Sequence, residues 1–600
     1  MLKELDVSQD ALWKQRFRTP VVGWSQIASQ NSDHGLVCTN RDGIFQLYAW
    51  HVPSGDLTQL THHSAGVVFG VISADGQSVY YLDDKEGNEI GHFVNVPFAG
   101  GTAQDLTPDM PDYASWYITE SHSGNVIGLT AAAREWGFRV YVIDKSGKIL
   151  FTYENGSRSV GPNLSHDGTI AVIATNERSG SIDMMLEAYD IASGNKLGEL
   201  YDGDDVGVDP IGFVPKAGDE WYLAKTSKTG FGRPVLWHPR TGERRDLELP
   251  QCEGEIEPWD WSEDGRYLLL REINQAQYQL YLYDLQDDVL ITLDHPAGTY
   301  SGGYFAGDDL IYVNMQDSQK PSRVVALDMQ GNVVKTVFEV GTAPDSAKWQ
   351  SVNYPSGDDT SIQAWLVTPE GDAPYPTIVH THGGPTAATT DNYSPAIQAW
   401  VDHGFAVFSI NYRGSTTFGK PFEKSIYGNL GELEVNDIEA GVHWLIDNHI
   451  AQPDMILKTG GSYGGYLTLL ALGKAPELWA GGMAVVAIAD WTLMYEDQAE
   501  TLRSYQKSLF GGAPDEMPEQ MAKSSPITYV EQIKAPIQVI QGENDTRCPS
   551  RQMHAYEEKM TAHNKHIEIE WFNAGHGSRE MEQSIKHQEL QMRFAYRVLG

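Results

Sequence analysis

A short turn pattern that recurs through the first 340 residues constrains the fold more than any other feature of the sequence. The segments SADG (73–76), SHDG (165–168) and SEDG (262–265) each precede an apolar stretch. Weaker copies carry Gly35, Gly124, Gly218 and Gly307, so that seven turns follow one another at intervals of 41 to 50 residues. A repeat of this length with about four short strands is typical of a β-propeller blade. The sequence therefore predicts an all-β propeller of seven blades at residues 21–342, after an N-terminal extension at 1–20. Six and eight blades are the alternative counts.

After residue 345 the pattern changes to an alternation of strands and helices. A predicted antiparallel hairpin at 351–369 is followed by apolar segments that end in HTHGG, NYRG, KTGG, IAD, GEND and NAGH. Such alternation indicates a doubly wound, mostly parallel sheet with helices on both faces, and in such sheets the chemistry lies in loops at the carboxyl ends of the strands. Residues 343–600 are therefore predicted to form an α/β catalytic domain.

A serine among glycines lies at one of these strand ends. Gly460, Gly461, Ser462, Tyr463 and Gly464 spell G-x-S-x-G between a short apolar strand and a helix rich in leucine and alanine. A flexible linker has a similar composition, but a strand and a helix would not flank it so closely. The pattern favours a nucleophile elbow, a strained turn in which larger neighbours would clash with the adjoining strand and helix.

A serine nucleophile needs a base and a third group that orients the base. In α/β-hydrolases the order along the chain is serine, acid, histidine. Asp545 follows the apolar segment IQVIQ, 83 residues after Ser462, and His576 follows the next strand, 31 residues later. Ser462, Asp545 and His576 are therefore the predicted catalytic triad of an α/β-hydrolase. Asp490, which also ends a predicted strand, is the rival acid.

The segment HGGP at 382–385 follows an apolar strand, as the glycine-rich oxyanion loop of hydrolases does. Catalysis of acyl transfer needs backbone N–H groups aimed at the developing oxyanion. The predicted donors are the N–H groups of Gly384 and Tyr463. The alternative interpretation is a tight turn that merely requires glycine.

No cofactor and no metal site are predicted. The aspartates of the D-G turns lack the clustered oxygen ligands of a calcium loop and fit ordinary turn chemistry. His380 and His382 would face the same side of a strand, but no carboxylate or cysteine cluster accompanies them. The cysteines Cys38, Cys252 and Cys548 are scattered, which suits a reducing cytosol better than a disulfide framework or a zinc site.

The acidity of the chain limits its partners. Lysine and arginine number 43 and aspartate and glutamate 81, which gives a formal charge of −38. A surface this negative repels nucleic acid and anionic membranes, so neither is expected as a partner. The N-terminal segment has no apolar signal core, and no apolar run reaches the roughly 20 residues of a membrane-spanning helix. The expected location is the cytoplasm.

Several motifs of the second half resemble those of acylaminoacyl peptidases in the prolyl oligopeptidase family, and they come in the same order. They are HGGP, NYRGSTTFGKPF (411–422), GGSYGGY, ADWTLMY (489–495), SSPITYV, GENDTRCP and AGHG. The resemblance covers the last 250 residues, whereas the first half matches only in architecture. It implies a triad between the two domains, with a propeller that limits access to small substrates.

The resemblance also implies substrate contacts. Arg547 matches an arginine that grips a substrate carbonyl, and Trp491 and Tyr495 fall in the segment that walls the pocket for the residue before the scissile bond. His382 stands where prolyl oligopeptidases proper and dipeptidyl peptidases have a tyrosine. The propeller also shows no clear Glu-Glu pair of the kind that binds a free amino terminus in dipeptidyl peptidases. Both differences favour the acylaminoacyl branch.

The expected function is therefore a serine peptidase that cleaves short peptides through an acyl-enzyme and releases N-acylated residues from their N-termini. The enzyme alternatives are an esterase of small acyl esters and a general oligopeptidase or dipeptidyl-type aminopeptidase, since the same triad serves them all. The alternative from another class is a propeller interaction protein with a vestigial hydrolase domain. Short peptides are the expected partners, and homo-oligomerisation is left open.

Overall fold

The computed structural model describes residues 3–307, 309–339 and 341–600, which fall into two halves of different kind. Residues 22–338, here called the propeller half, form antiparallel sheets of short strands. Residues 350–600, here called the α/β half, form one eight-stranded sheet with helices. The predicted change of pattern near residue 345 thus corresponds to a change of architecture.

The propeller half contains 29 described strands. They are β1 (Val22–Ala28), β2 (Asn31–Thr39), β3 (Gln46–His51), β4 (Asp56–Gln59), β5 (Val71–Ile72), β6 (Ser78–Asp84), β7 (Ile90–Pro97), β8 (Gln104–Asp105), β9 (Tyr113–Ala114), β10 (Ile118–Glu120), β11 (Val126–Ala133), β12 (Gly137–Asp144), β13 (Ile149–Glu154), β14 (Ser159–Leu164), β15 (Ile170–Thr175), β16 (Met185–Asp190), β17 (Lys196–Leu200), β18 (Val208–Phe213), β19 (Tyr222–Thr226), β20 (Arg233–Trp237), β21 (Arg244–Asp246), β22 (Glu255–Trp261), β23 (Tyr267–Asn274), β24 (Gln277–Asp284), β25 (Val289–Thr292), β26 (Thr299–Phe305), β27 (Ile311–Asp317), β28 (Lys320–Leu327) and β29 (Val333–Phe338).

These strands form five four-stranded sheets and one nine-stranded sheet. The four-stranded sheets are β1–β4, β14–β17, β18–β21, β22–β25 and β26–β29, each with its strands in sequence order. In the nine-stranded sheet, β9 pairs with both β7 and β11 and thereby joins the group β5–β8 to the group β10–β13. The arrangement is consistent with a β-propeller, and the count of seven blades stays a prediction.

Six of the seven predicted turn glycines adopt the left-handed backbone conformation that favours glycine. Gly76, Gly124, Gly168, Gly218, Gly265 and Gly307 have φ between 70° and 78°. The predicted turn at Gly35 is wrong, because this residue lies inside β2 and pairs with Trp50 of β3. A Cβ at Gly35 would come within 2.5 Å of the Trp50 ring. Glycine therefore serves there to make room for an indole, a role that the sequence pattern does not distinguish from a turn.

The sheet of the α/β half has the strand order β30-β31-β33-β32-β34-β35-β36-β37. Its strands are β30 (Gln350–Pro355), β31 (Ser361–Val367), β32 (Tyr375–Thr381), β33 (Ala406–Asn411), β34 (Ala451–Gly461), β35 (Gly481–Val485), β36 (Ile537–Gly542) and β37 (Ile567–Phe572). The predicted hairpin is confirmed as the antiparallel pair β30 and β31. The strands from β33 to β37 pair in parallel, as the alternation of strands and helices predicts.

The described helices are α1 (Leu12–Arg18), α2 (Pro395–Asp402), α3 (Lys420–Lys424), α4 (Leu433–Asp447), α5 (Tyr463–Lys474), α6 (Trp491–Asp497), α7 (Glu500–Phe510), α8 (Pro518–Ser524), α9 (Ser550–Ala562) and α10 (Met581–Leu599), with a 3-10 helix at Pro526–Gln532. Helices cover both faces of the eight-stranded sheet. Ile378 and Val379 are neighbours on β32 but belong to different buried clusters, because successive side chains of a strand point to opposite faces. No helix among the described residues is long and apolar enough to cross a membrane.

The segment that precedes β1 packs on the α/β half. Helix α1 contacts α2 and α10, and its Trp13 is buried in the cluster that covers one face of the eight-stranded sheet. Lys14 forms an ion pair with Glu589 of α10 at 2.7 Å. The chain therefore leaves the α/β half before β1 and returns to it at β30, so that the propeller half is tethered at both of its ends.

Candidate active site

Ser462 lies in a strained turn between β34 and α5. Its φ of 56° and ψ of −121° are values that residues other than glycine rarely adopt. A Cβ on Gly464 would lie 2.1 Å from the carbonyl oxygen of Thr381, and one on Gly460 would lie 2.5 Å from the carbonyl oxygen of Gly464. The glycines around the serine are thus required by close approach of the backbones. This is the local structure that the G-x-S-x-G motif predicts.

Asp545 and His576 are brought together at the carboxyl ends of β36 and β37. The Nδ1 atom of His576 lies 2.8 Å from Oδ2 of Asp545, which is fully buried. The other carboxylate oxygen, Oδ1, accepts hydrogen bonds from the backbone N–H groups of Arg547 at 2.8 Å and Cys548 at 2.9 Å. The carboxylate is therefore fixed by three donors and orients the imidazole so that Nε2 remains available as a base.

The contact between Ser462 and His576 is not closed in the described structure, where no hydrogen bond joins the Ser462 hydroxyl to the imidazole. Such a bond commonly tightens only in the complex with substrate. The thiol of Cys548 lies beside the Asp545–His576 pair. Burial raises the pKa of this thiol well above its usual value, so that Cys548 is a neutral neighbour of the predicted nucleophile.

The site also contains the donor set of a soft divalent cation. Ligand atoms of Asp545, Cys548 and His576 all lie within 4.8 Å of one another. Thiolate, imidazole and carboxylate are ligands that zinc accepts. Here, however, the carboxylate and the imidazole bond each other and the thiol keeps its proton, an arrangement that fits an acid–base pair better than a resident metal.

The rival acid Asp490 has a different task. Its Oδ1 accepts hydrogen bonds from the backbone N–H groups of Thr492 at 2.9 Å and Leu493 at 3.0 Å. Asp490 is therefore the N-cap of α6, where a carboxylate satisfies N–H groups that have no partner within the helix. Among the described contacts, only Asp545 reaches His576 with a carboxylate.

The HGGP loop lies against the nucleophile. A Cβ on Gly383 would come within 3.9 Å of the Ser462 Oγ. The backbone N–H of Gly384 makes no hydrogen bond within the described part of the chain. Tyr463 is the first residue of α5, where an N–H has no acceptor inside the helix and the helix dipole is positive. Both predicted oxyanion donors are thus free to bind a substrate oxygen, and their role stays a prediction.

The histidines His380 and His382 are neutral and take part in the scaffold. Burial lowers the pKa of His380 to about 3 and that of His382 to about 4. The ring nitrogens of His382 lie 2.7 Å from the Gly383 carbonyl oxygen and 2.8 Å from the Ser415 hydroxyl, and the ring stacks on Tyr412. His382 thus holds the HGGP loop in place and does not face a partner as a metal ligand would.

Tyr463 is anchored by a carboxyl group that the sequence reasoning missed. Its phenol lies 2.6 Å from Oε1 of Glu434, a fully buried residue of α4. The other oxygen of Glu434 accepts a hydrogen bond from the Gly431 N–H at 2.9 Å. Burial raises the pKa of Glu434 to about 7. No sequence signal marks this glutamate, because acidic residues at the start of a helix are common.

Arg547 meets the propeller half rather than open solvent. Its Nε and Nη2 donate to the two carboxylate oxygens of Glu89 at 2.9 Å and 2.6 Å, and its guanidinium lies 5.0 Å from the ring centroid of Trp116. Arg579 contributes a second guanidinium, 3.9 Å from the same carboxylate. Within the described structure Nη1 of Arg547 has no acceptor. The predicted carbonyl contact would therefore use this free edge of the guanidinium.

The predicted pocket walls lie at different depths. Trp491 is buried beneath Tyr463, with ring centroids 6.1 Å apart, and packs edge-on against Tyr466. Tyr495 is half-buried and lies under the guanidinium of Arg503, 4.7 Å from its ring centroid. No described contact brings Tyr495 to Ser462. The roles of Trp491 and Tyr495 in binding substrate stay predictions.

A cavity of about 490 Å³ opens between the two halves beside the HGGP loop. Thr386, two residues after Gly384, lines it together with Tyr505 of α7, and their hydroxyl groups lie 2.8 Å apart. Arg158 of the propeller half extends over the Tyr505 ring, 6.0 Å from its centroid. The sequence reasoning identified neither Tyr505 nor Arg158, since their proximity depends on how the halves meet.

Comparisons with known proteins find similar peptidases. The family model described as prolyl oligopeptidase family matches residues 391–600. Dipeptidyl aminopeptidase BIII of Pseudoxanthomonas mexicana is 24% identical over 93% of this chain and 84% of its own length. The acylamino-acid-releasing enzyme of Rattus norvegicus is 30% identical, over 37% of this chain and 31% of its own length.

Two solved structures share the fold over almost the whole chain. A puromycin-hydrolyzing peptidase of Mycobacterium tuberculosis matches with a TM-score of 0.84 at 18% identity, over 99% of this chain and 96% of that one. The acylaminoacyl peptidase of Pyrococcus horikoshii matches with a TM-score of 0.72 at 17% identity, over 98% of this chain and 99% of that one. At these identities the likeness concerns the fold.

Proposed function

We propose that the chain is a serine peptidase of the prolyl oligopeptidase family that releases N-acylated residues from short peptides through an acyl-enzyme at Ser462. The family match over residues 391–600 and the likeness to peptidases support this proposal. The charge around Arg547 carries this choice of substrate. Two guanidinium groups, those of Arg547 and Arg579, face the single carboxylate of Glu89. These three side chains alone carry one net positive charge, so the free edge of the Arg547 guanidinium accommodates a neutral acyl group more readily than the ammonium of a free amino terminus.

In the proposed reaction the same groups act first in acylation of Ser462 and then in hydrolysis of the acyl-enzyme. His576 takes the proton of the Ser462 hydroxyl as its oxygen attacks the scissile carbonyl, and the imidazolium that forms is stabilised by Asp545. The N–H groups of Gly384 and Tyr463 bind the oxyanion. His576 then gives the proton to the leaving amine as the C–N bond breaks. Water, deprotonated by the same imidazole, hydrolyses the acyl-enzyme and frees Ser462.

A second candidate is cleavage after a free amino terminus. Glu89 favours it, because a carboxylate of the propeller half lies next to the loop that supplies Asp545. The likeness to a dipeptidyl aminopeptidase over most of the chain points the same way. In the present arrangement, however, both oxygens of this carboxylate are bonded to Arg547. An ammonium would have to compete with a bidentate guanidinium.

A matched panel of acetylated and free peptide p-nitroanilides separates the candidates. We expect the wild-type enzyme to prefer the acetylated member, and Arg547→Ala to lower its kcat/KM about 10- to 100-fold, the range of a charged hydrogen bond. Arg547→Lys should recover only part of this loss, because an ammonium lacks the planar fork. Arg551→Ala is the control, since Arg551 makes a similar ion pair with Asp497 on the surface.

Three other outcomes have separate meanings. Preference for the free terminus, lost in Glu89→Gln, would establish the second candidate. Hydrolysis of aryl esters without hydrolysis of any peptide would establish an esterase. Equal losses on esters and peptides in Arg547→Ala would mean that Arg547 supports the loop and does not contact the substrate.

A further inference from the structure

We propose that Arg158 binds a carboxylate of the substrate in the cavity between the two halves, so that the enzyme selects peptides with a negative charge near the scissile bond. This inference rests on the proposed peptide substrate and adds a binding site to it. The cavity, the position of Arg158 and the pairing of the surrounding charges support it independently.

A short series of contacts connects Arg158 to the predicted nucleophile. The HGGP loop lies against Ser462, and Thr386 follows that loop directly. The Thr386 hydroxyl bonds the Tyr505 hydroxyl, and the guanidinium of Arg158 lies over the Tyr505 ring. All three side chains line the same cavity. The cavity is thus lined by the residue that directly follows the loop lying against Ser462.

Arg158 is placed at this opening by the propeller half. It immediately precedes β14, the strand of its sheet that contacts the neighbouring sheets through β11 and β18. Its backbone carbonyl accepts a hydrogen bond from the Asn176 N–H at 3.1 Å, which fixes the residue to β15 of the same sheet. The main chain is thus anchored, while the side chain extends from the propeller half toward the α/β half.

The other charged side chains of the cavity already have partners. Lys225 pairs with Asp209 at 3.0 Å, and Lys420 pairs with Glu423 at 3.0 Å. Asp183 pairs with Lys424, and Glu257 pairs with Arg271. Glu255 accepts a hydrogen bond from the backbone N–H of Gly232. In contrast, Arg158 has neither an ion pair nor a side-chain hydrogen bond within the described residues.

The direction of the pKa shift of Arg158 agrees with its lack of an ion pair. Burial lowers the pKa of Arg158, and the charges of Tyr505, Asp209 and Tyr427 oppose this shift. Burial also lowers the pKa of Arg547, but there the hydrogen bond and the charge of Glu89 outweigh it, and the pKa is raised overall. A half-buried guanidinium without a counter-ion loses part of its hydration without compensation. An incoming carboxylate would supply both the charge and two parallel hydrogen bonds.

Two parts of a peptide can carry this carboxylate, namely its C-terminus and an acidic side chain. The test uses N-acetyl peptides of one sequence in two matched pairs, a C-terminal acid against its amide and an internal Glu against Gln. Each is assayed with wild type, Arg158→Gln and Arg158→Lys. Arg240→Gln is the control, because Arg240 pairs with Glu220 on the exposed surface of the propeller half.

We expect wild type to favour the charged member of one pair by about 10- to 100-fold in kcat/KM. Arg158→Gln should abolish this preference while it leaves the neutral member within about twofold, and Arg158→Lys should be intermediate. The pair that discriminates identifies the source of the carboxylate. Equal losses on charged and neutral members, or no preference by wild type in either pair, would overturn the proposal.

The failure of the proposed function is distinguishable from the failure of this inference. If wild type hydrolyses aryl esters but none of the peptides, the peptidase proposal fails, and the same peptides are then used as inhibitors of ester hydrolysis. Stronger inhibition by the charged member in wild type, lost in Arg158→Gln, would retain the carboxylate site. Identical inhibition constants for the charged and neutral members would reject it.

Discussion

Glycine has different tasks in two surface turns of the propeller half and in the elbow of the α/β half. In the propeller half, Gly218 and Gly307 have φ of 78° and 76°, and a Cβ on either would meet no atom within 4 Å. In the α/β half, a Cβ on Gly464 or Gly460 would collide with backbone atoms at 2.1 Å and 2.5 Å, although neither has a left-handed φ. The turns at Gly218 and Gly307 need glycine for its backbone conformation alone, whereas the elbow needs it for its lack of volume.

This difference shows where each half tolerates change. A blade turn is repeated and lies at the surface, so that a local strain there stays local. The elbow is a single place where β32, β34 and α5 come into backbone contact, and every atom added there displaces the nucleophile. We therefore expect substitutions at the elbow to act on catalysis and stability together, and those in the blade turns on stability alone.

The largest expected effect is the loss of activity in Ser462→Ala. Removal of the nucleophile should lower kcat by at least about 10³-fold, while the hydrolase fold is kept, because the smaller side chain relieves crowding in the turn. Labelling with a fluorophosphonate should be lost at the same time. Ser425→Ala, at an exposed serine of the same half, should retain both. Labelling at another serine would show that Ser462 is not the nucleophile and that the elbow has no catalytic role.

The next effect distinguishes the two candidate acids. Asp545→Asn should lower kcat about 10³- to 10⁴-fold with little change in KM, because an amide cannot hold His576 in the required tautomer. Asp490→Asn should be nearly silent, since asparagine also caps helices well. Steady-state kinetics of both variants measures this. The reverse result would mean that the hydrogen bond between Asp545 and His576 is structural.

The two uses of glycine predict effects of different size. Gly464→Ala should lower the unfolding free energy by about 3–5 kcal/mol and abolish activity, because its Cβ has no room. Gly218→Ala should cost about 1 kcal/mol, the strain of a left-handed alanine, with activity unchanged. Thermal unfolding and kcat/KM of both variants provide the comparison. Similar losses at the two positions would show that the elbow can relax.

A smaller effect concerns a feature that the two halves share. Burial raises the pKa of Glu434 in the α/β half and of Asp260 in the propeller half to about 7. Between about pH 4 and pH 7 the folded protein keeps protons that the unfolded chain has lost, so these groups make the unfolding free energy fall as the pH rises. Glu434→Gln and Asp260→Asn should each reduce the fall in unfolding free energy between pH 5 and pH 8, by about 3 kcal/mol at most. Unfolding measured at pH 5 and pH 8 tests each half, and unchanged slopes would mean that the carboxyl groups ionise freely.

The parts of the fold that sequence could predict are those that local chain chemistry determines. The order of Ser462, Asp545 and His576 and the hairpin at 351–369 follow from strand ends and apolar spacing, which are local. The prediction of a turn at Gly35 was wrong because both turns and close packing require glycine, and the sequence pattern does not distinguish the two. No pattern in the sequence near Glu89 or Arg158 predicts which residues these side chains contact. Glu89 meets Arg547 across 458 residues of chain, so this contact depends on the approach of two folded bodies.

The double tether of the propeller half has a mechanical consequence. A body attached to another at two points keeps one easy degree of freedom, rotation about the line through both attachments. The crossings between α1 and β1 and between β29 and β30 define such an axis here. Separation of the halves would then be a rotation about this axis. It would break the ion pairs Glu89–Arg547 and Asp183–Lys424 in the interface. Rotation back about the same axis would restore these two ion pairs together.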